Sequence, residues 1–168
     1  MVNCDYNCAG CHGCYSTAAV SYLIEEGVVS EACLPYKAAM SPSCTYQCDD
    51  PTIEYKKYYC KIGSMRILTN FDEIKAELII NGPMMVAFEV LDDFGSYSSG
   101  IYHPTSTTTN AIFRHTVKLL GWGLDGSNKL YWLCQNSWGT WWGESGFFRI
   151  YSGSVGIDSV AFACLPDI

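Results

Sequence analysis

Charge is scarce in this sequence, and positive charge is scarcer still. Only 16% of the 168 residues are charged, with 10 Lys and Arg against 17 Asp and Glu for a formal net charge of −7. A chain this acidic, with no basic stripe, excludes nucleic acid as its partner. Long hydrophobic runs are missing too. None approaches the roughly 20 apolar residues that span a bilayer, so no membrane partner is expected. Met1-Val2-Asn3 leads directly into cysteines, with nothing resembling a signal peptide. Apolar residues make up 49%, enough for a sizeable core. The low charged fraction points to surface that a partner or further chain covers.

Cysteine, by contrast, is abundant. Ten in a chain of this size favour an oxidising compartment, where thiols are joined rather than kept reduced. Cys8, Cys11 and Cys14 repeat as C-x2-C-x2-C around His12, a spacing that could also cradle zinc or a cluster. The other cysteines are scattered singly, as in a disulfide-stapled protein, and that pattern outweighs metal. No metal or cofactor is expected.

Along the chain, Ala18, Ala19, Tyr22 and Leu23 give helical spacing over Tyr15–Glu26, with Gly27 as terminator. Val28–Gly63 is rich in Pro, Cys, Tyr and Ser without a period and reads as loop. Asn70 is a good cap for a second helix, with Glu73 placed as in a capping box. Phe71, Ile74 and Leu78 form its apolar stripe, and Gly82-Pro83 ends it. Then come five short apolar runs, Met84–Val90, Thr116–Gly123, Lys129–Gln135, Gly146–Tyr151 and Val160–Cys164, separated by turn residues. Strands in succession without helices between them predict an antiparallel sheet or barrel. The polar tract Thr105–Asn110 reads as loop.

Three histidines limit the choice of general base. His103 stands beside Pro104 in a loop-like stretch and reads as solvated. His12 lies inside the cysteine cluster, as a structural residue or a subsite wall. His115 opens the run Thr116–Gly123, which puts it at a strand end on a rigid support. Downstream, Gln135-Asn136-Ser137-Trp138-Gly139 follows a strand. An Asn carbonyl can accept a hydrogen bond from one ring nitrogen of a histidine and orient the other toward a thiolate. A nearby indole lowers the local dielectric and strengthens that bond.

With these residues in place the sequence resembles the papain family of cysteine peptidases, its cathepsin B branch in particular. The elements run in family order: Cys11-His12-Gly13-Cys14-Tyr15, Cys33-Leu34-Pro35-Tyr36, Asn81-Gly82-Pro83, then Asp93-Phe94 and Tyr97-Ser98-Ser99-Gly100-Ile101-Tyr102. His115 with Leu120-Gly121-Trp122-Gly123 follows, then Tyr131-Trp132-Leu133, Asn136-Ser137-Trp138-Gly139 and Trp142-Gly143. The resemblance implies an α+β papain-like fold: a right-lobe antiparallel β-barrel (46–168) carrying the site, and a partial left lobe (1–45) of one helix and disulfide-rich loops. It implies His115 as base and proton carrier, Asn136 as its orienter and Trp138 as the cover of their bond. Trp142 would line the leaving-group side. Gly13 and Cys14 would present backbone to an extended peptide, and Ala87, Thr116 and Val160 would form the pocket for the second side chain before the scissile bond.

The sequence departs from the family in one decisive way. The C-G-[SA]-C-[WY] motif that bears the nucleophile, some 130–150 residues before the His and Asn, occurs nowhere. The expectation is therefore a peptidase incomplete in this chain, with a Cys-bearing N-terminal segment as its missing partner. The alternative is a non-catalytic papain-like module that grips peptides or proteins. Cys14 precedes a helix, where a thiolate is favoured, but the resemblance places it on the binding rim, not at the nucleophile. Arg114 stands where the family has a small or acidic residue, Thr116 where it has Ala, and Val155 where relatives often carry a disulfide Cys. The resemblance further implies peptide or protein substrates, cystatin-like inhibitors and a lysosomal or secreted location. Endopeptidase action is expected, because Cys33 to Cys48 is too short for the His-bearing insertion that gives cathepsin B its dipeptidase activity. It also implies the pairs Cys33–Cys48 and Cys4–Cys44, with Cys134–Cys164 across neighbouring strands as a further candidate, and Cys11 without its family partner.

Overall fold

Local signals set both helices. Tyr15, in extended conformation, is the N-cap of α1 (Ser16–Glu25). Asn70 starts α2 (Phe71–Asn81) by accepting the Asp72 backbone N–H on its side-chain oxygen at 2.8 Å. The reciprocal capping-box bond from Glu73 is not formed among the described residues. Ile74 and Leu78 are buried as expected, while Phe71 remains 38% exposed and meets Trp132 edge-on. The computed structural model describes residues 2, 4–39, 43–105 and 111–167; most of the expected 105–110 loop lies outside them.

By contacts the chain forms two units, Met1–Met65 with Cys164–Ile168, and Arg66–Ala163. The first unit holds α1 and a small antiparallel pair, β1 (Tyr59–Cys60) with β9 (Pro166–Asp167). Its disulfides are Cys4–Cys44, Cys8–Cys14, Cys33–Cys48 and Cys60–Cys164. The first and third are as the resemblance implied. Cys134–Cys164 is not: Cys164 is bonded to Cys60, and Cys134 is a free, fully buried thiol whose strand partners Leu119 and Phe148 are core residues. Burial pushes its thiol pKa far above the ordinary range. Cys11 is an exposed free thiol.

The second unit is α2 and a seven-stranded sheet. Its strands are β2 (Arg66–Leu68), β3 (Met84–Val90), β4 (Ile101–Tyr102), β5 (Phe113–Leu124), β6 (Leu130–Gln135), β7 (Phe147–Tyr151) and β8 (Ala161–Ala163). Their order is β2-β8-β3-β5-β6-β7-β4, antiparallel throughout except for the β4–β7 pair. Among the described residues no pairing joins β4 back to β2. Alternation decides the faces: Met84, Val86, Phe88 and Val90 of β3 are buried, and the residues between them turn outward. One core results, in which Phe94, Trp132, Phe148 and Ile150 are fully buried. Glu77 of α2 is buried among them at 3% exposure, which is tolerable because Arg66 pairs with it and the Asn81 amide donates to it.

Candidate active site

The strand periods bring two distant residues together. His115 lies near the start of β5, paired across the ladder with Phe88 and on the same inward side. Asn136 follows the end of β6, where its backbone N–H donates to the Gly146 carbonyl at 2.9 Å. The turn returns tightly enough to demand glycine. At Gly143 φ is +57°, and a Cβ would sit 2.7 Å from the Phe147 carbonyl oxygen.

In this frame His115 Nε2 is 2.8 Å from Asn136 Oδ1. The Ser137 backbone N–H donates to the same oxygen, also at 2.8 Å. An atom that accepts from a backbone N–H is the amide oxygen, so His115 Nε2 must donate to it. The neutral ring is therefore the Nε2–H tautomer, and Nδ1 keeps its lone pair. Trp138 lies over the imidazole in stacked geometry, ring centroids 5.3 Å apart and planes 26° from parallel. Burial lowers the His115 pKa from its ordinary value, with the Asn136 hydrogen bond partly opposing it. Such a ring can accept a proton at Nδ1 from an acid of matched pKa while Nε2 stays tethered.

Behind the indole stands Phe94, fully buried and in ring contact with Trp138 at 5.6 Å and Trp142 at 5.0 Å. The sequence marks Phe94 only as a family element, not as a support of the site. Trp142, expected to line the leaving-group side, is 3% exposed and donates its indole N–H to the Gly95 carbonyl at 3.1 Å. The exposed indole of this turn is Trp141, which the sequence reading passed over. Asn136 Nδ2 is buried and has no hydrogen-bond partner among the described residues.

Two of the expected pocket residues share one row: Ala87 and Thr116 are cross-strand partners, both on the outward face. β8 pairs Phe162 with Met85 and Ala161 with Val86, and Val160 directly precedes that strand. Asp158, two residues earlier, fixes the approach to Val160: it accepts from the Trp132 indole at 3.0 Å, from the Ser152 hydroxyl and from the Gly153 N–H. Gly13 and Cys14 lie in the first unit, where Gly13 has φ +100° with open space at its missing Cβ. Cys14 is bonded to Cys8, which removes its sulfur from nucleophilic chemistry.

Residues 1–165 match the papain family of cysteine proteases. The chain is 35% identical to a gut-specific cysteine proteinase of Caenorhabditis elegans, over 95% of its own length and 54% of that protein. It is 34% identical to cathepsin B of Dictyostelium discoideum, over 99% and 57%. Among solved structures it is similar to procathepsin B S9 from Trypanosoma congolense, with a TM-score of 0.86 and 30% identity, covering 99% of this chain and 59% of that one. The chain thus spans about half the length of the curated relatives it matches.

Proposed function

Because the chain belongs to the papain family of cysteine proteases, we propose that it carries the imidazole side of a thiol–imidazole endopeptidase, completed by a Cys-bearing segment. The observation that carries this reading is the 2.8 Å bond from His115 to Asn136 beneath the Trp138 indole. In the completed cleft His115 Nδ1 takes the proton of the incoming thiol, and the thiolate attacks the peptide carbonyl carbon. The same nitrogen then gives its proton to the leaving amine. His115 next deprotonates the water that hydrolyses the thioester. Asn136 holds the ring through both half-reactions, and Trp138 keeps water from their bond. Substrates are extended peptides or proteins, with cystatin-like inhibitors as competitors for the same surface. The four disulfides support an oxidising setting, lysosomal or secreted.

The thiols of this chain also favour a second reading, a peptide-binding module without catalysis. In the unit that holds His115 the thiol is Cys134, buried and pushed toward its protonated form. One experiment separates the two. The purified chain is expected to leave a fluorogenic dipeptide uncleaved; added Cys-bearing segment should restore cleavage, and His115→Ala should then cut it by several orders of magnitude. Persistent inactivity with a folded, completed cleft overturns the peptidase reading and leaves the module.

A further inference from the structure

Resting on that reading of the cleft, we propose that the outer face of β5 selects acidic peptides: Arg114 and Lys118 bracket the apolar row at Thr116 and recognise carboxylates on either side of an apolar residue.

Arg114, Thr116 and Lys118 are exposed and occupy successive outward positions of β5, roughly 7 Å apart along the strand. Thr116 shares its row with Ala87, and Arg114 directly precedes His115. Most cations of the protein are already engaged. Lys37, Lys57, Arg66, Lys75 and Arg149 reach carboxylates, while Lys56 and Lys129 lie over tyrosine rings. Among the described residues Lys61, Arg114 and Lys118 have neither kind of partner, and of these Arg114 and Lys118 flank Thr116 on the outer face of β5. Lys118 faces Met85 and Gln135 across the ladder, so nothing acidic opposes it there. Glu89 is the registered partner of Arg114, exposed and outside ion-pair distance, and it is the one carboxylate placed to compete.

The chemistry follows from this placement. An apolar side chain is taken from water by the row, and a neighbouring carboxylate gains a charge-assisted bond to a guanidinium that is free to turn toward it. The net charge of −7 does not by itself prevent this, because exposed charges more than about 8 Å apart are largely screened at physiological ionic strength. A basic residue at the same place meets like charge. Specificity then comes from repulsion as well as attraction.

The test is binding by the full chain, which requires no nucleophile. A fluorescein-labelled decapeptide with a central Leu flanked by Glu is compared with its Gln counterpart by anisotropy. The Glu peptide is expected to bind about fivefold tighter, the upper range for an exposed pair. Arg114→Gln together with Lys118→Gln should abolish the difference, either alone should reduce it, and Glu89→Gln should widen it, opposite responses that a general loss of folding does not produce. In about 1 M NaCl the difference should collapse, since screening then acts within about 3 Å. The same peptides are then offered to the completed enzyme, where cleavage or its absence tests the peptidase reading alone. Equal binding of the two peptides, binding of neither, or a difference that survives the double substitution Arg114→Gln with Lys118→Gln overturns the inference.

Discussion

Asn136→Asp changes one atom pair and should reverse the charge preference of its neighbour. In the wild type, burial holds the His115 pKa below its ordinary value of about 6.5. Between those two values the unfolded chain binds the extra proton, so stability rises with pH across that window. The contribution is complete above about 6.5 and is lost as pH falls through the folded pKa. A carboxylate at 136 sits where Oδ1 now accepts from the ring, favours imidazolium, and removes the unpartnered Nδ2. The expected result is a His115 pKa raised above that of the wild type and a flattened or inverted pH dependence of stability. Histidine NMR titration with His115→Phe for assignment measures the first, and urea unfolding across the pH range measures the second. The strand end at His115 and the turn at Asn136 were legible from local pattern, but their pairing was read from the family resemblance, because residues 21 apart are brought together by the β5–β6 ladder. The tautomer was not legible, since it depends on the Ser137 N–H, a backbone donor that no side-chain pattern reveals. Glu77 was invisible for a related reason: its helix reads as polar there, and only the fold supplies Arg66 and Asn81.

At the scale of elements, β3 was legible to its ends as a short apolar run between turn residues, whereas its period-two burial was not, because Met85 and Ala87 are apolar like their buried neighbours. β1, β2, β4 and β9 are two or three residues long, and no period can be read from so few. The parallel β4–β7 pair was illegible as well, being decided by where the chain returns rather than by composition. The observed alternation has a functional consequence, because it turns Ala87 and Thr116 outward together, and we propose that Val160, just before β8, joins them in the pocket. An apolar row cannot replace the water around a guanidinium, and burying one there costs several kcal/mol unless it reaches back to solvent. Leu or Val gains about 1.5–3 kcal/mol at full burial instead. The completed enzyme should therefore cleave after Leu-Arg or Val-Arg at least tenfold faster than after Arg-Arg, in kcat/KM on paired fluorogenic dipeptides. Val160→Glu should narrow or reverse that ratio. Equal rates in the wild type would show that Val160 does not meet the substrate.

At the scale of the molecule, the pairing of Cys60 with Cys164 counts for most in stability and was the connection least legible in sequence. Cys164 follows β8 of the sheet, which made Cys134 a natural partner; the chain instead leaves the sheet there and pairs with β1 as β9. The bond lies wholly in the first unit, yet the loop it closes spans 104 residues and contains the whole second unit. Constraining so long a loop in the unfolded chain is worth up to about 4.7 kcal/mol on the chain-entropy account, a large share of the 5–15 kcal/mol typical of a domain. Cys60→Ser with Cys164→Ser should thus lower the urea midpoint substantially. The His115–Asn136 pair, held by β5, β6 and the Gly143 turn inside the second unit, should keep its geometry. The two effects can be read separately, the first by unfolding monitored by tryptophan fluorescence and the second by the His115 ring resonances under native conditions. A lowered midpoint with unchanged His115 resonances means that the disulfide holds the ends of the chain and the sheet holds the site. Resonances that move with the midpoint would mean that the second unit depends on this clasp for its own fold.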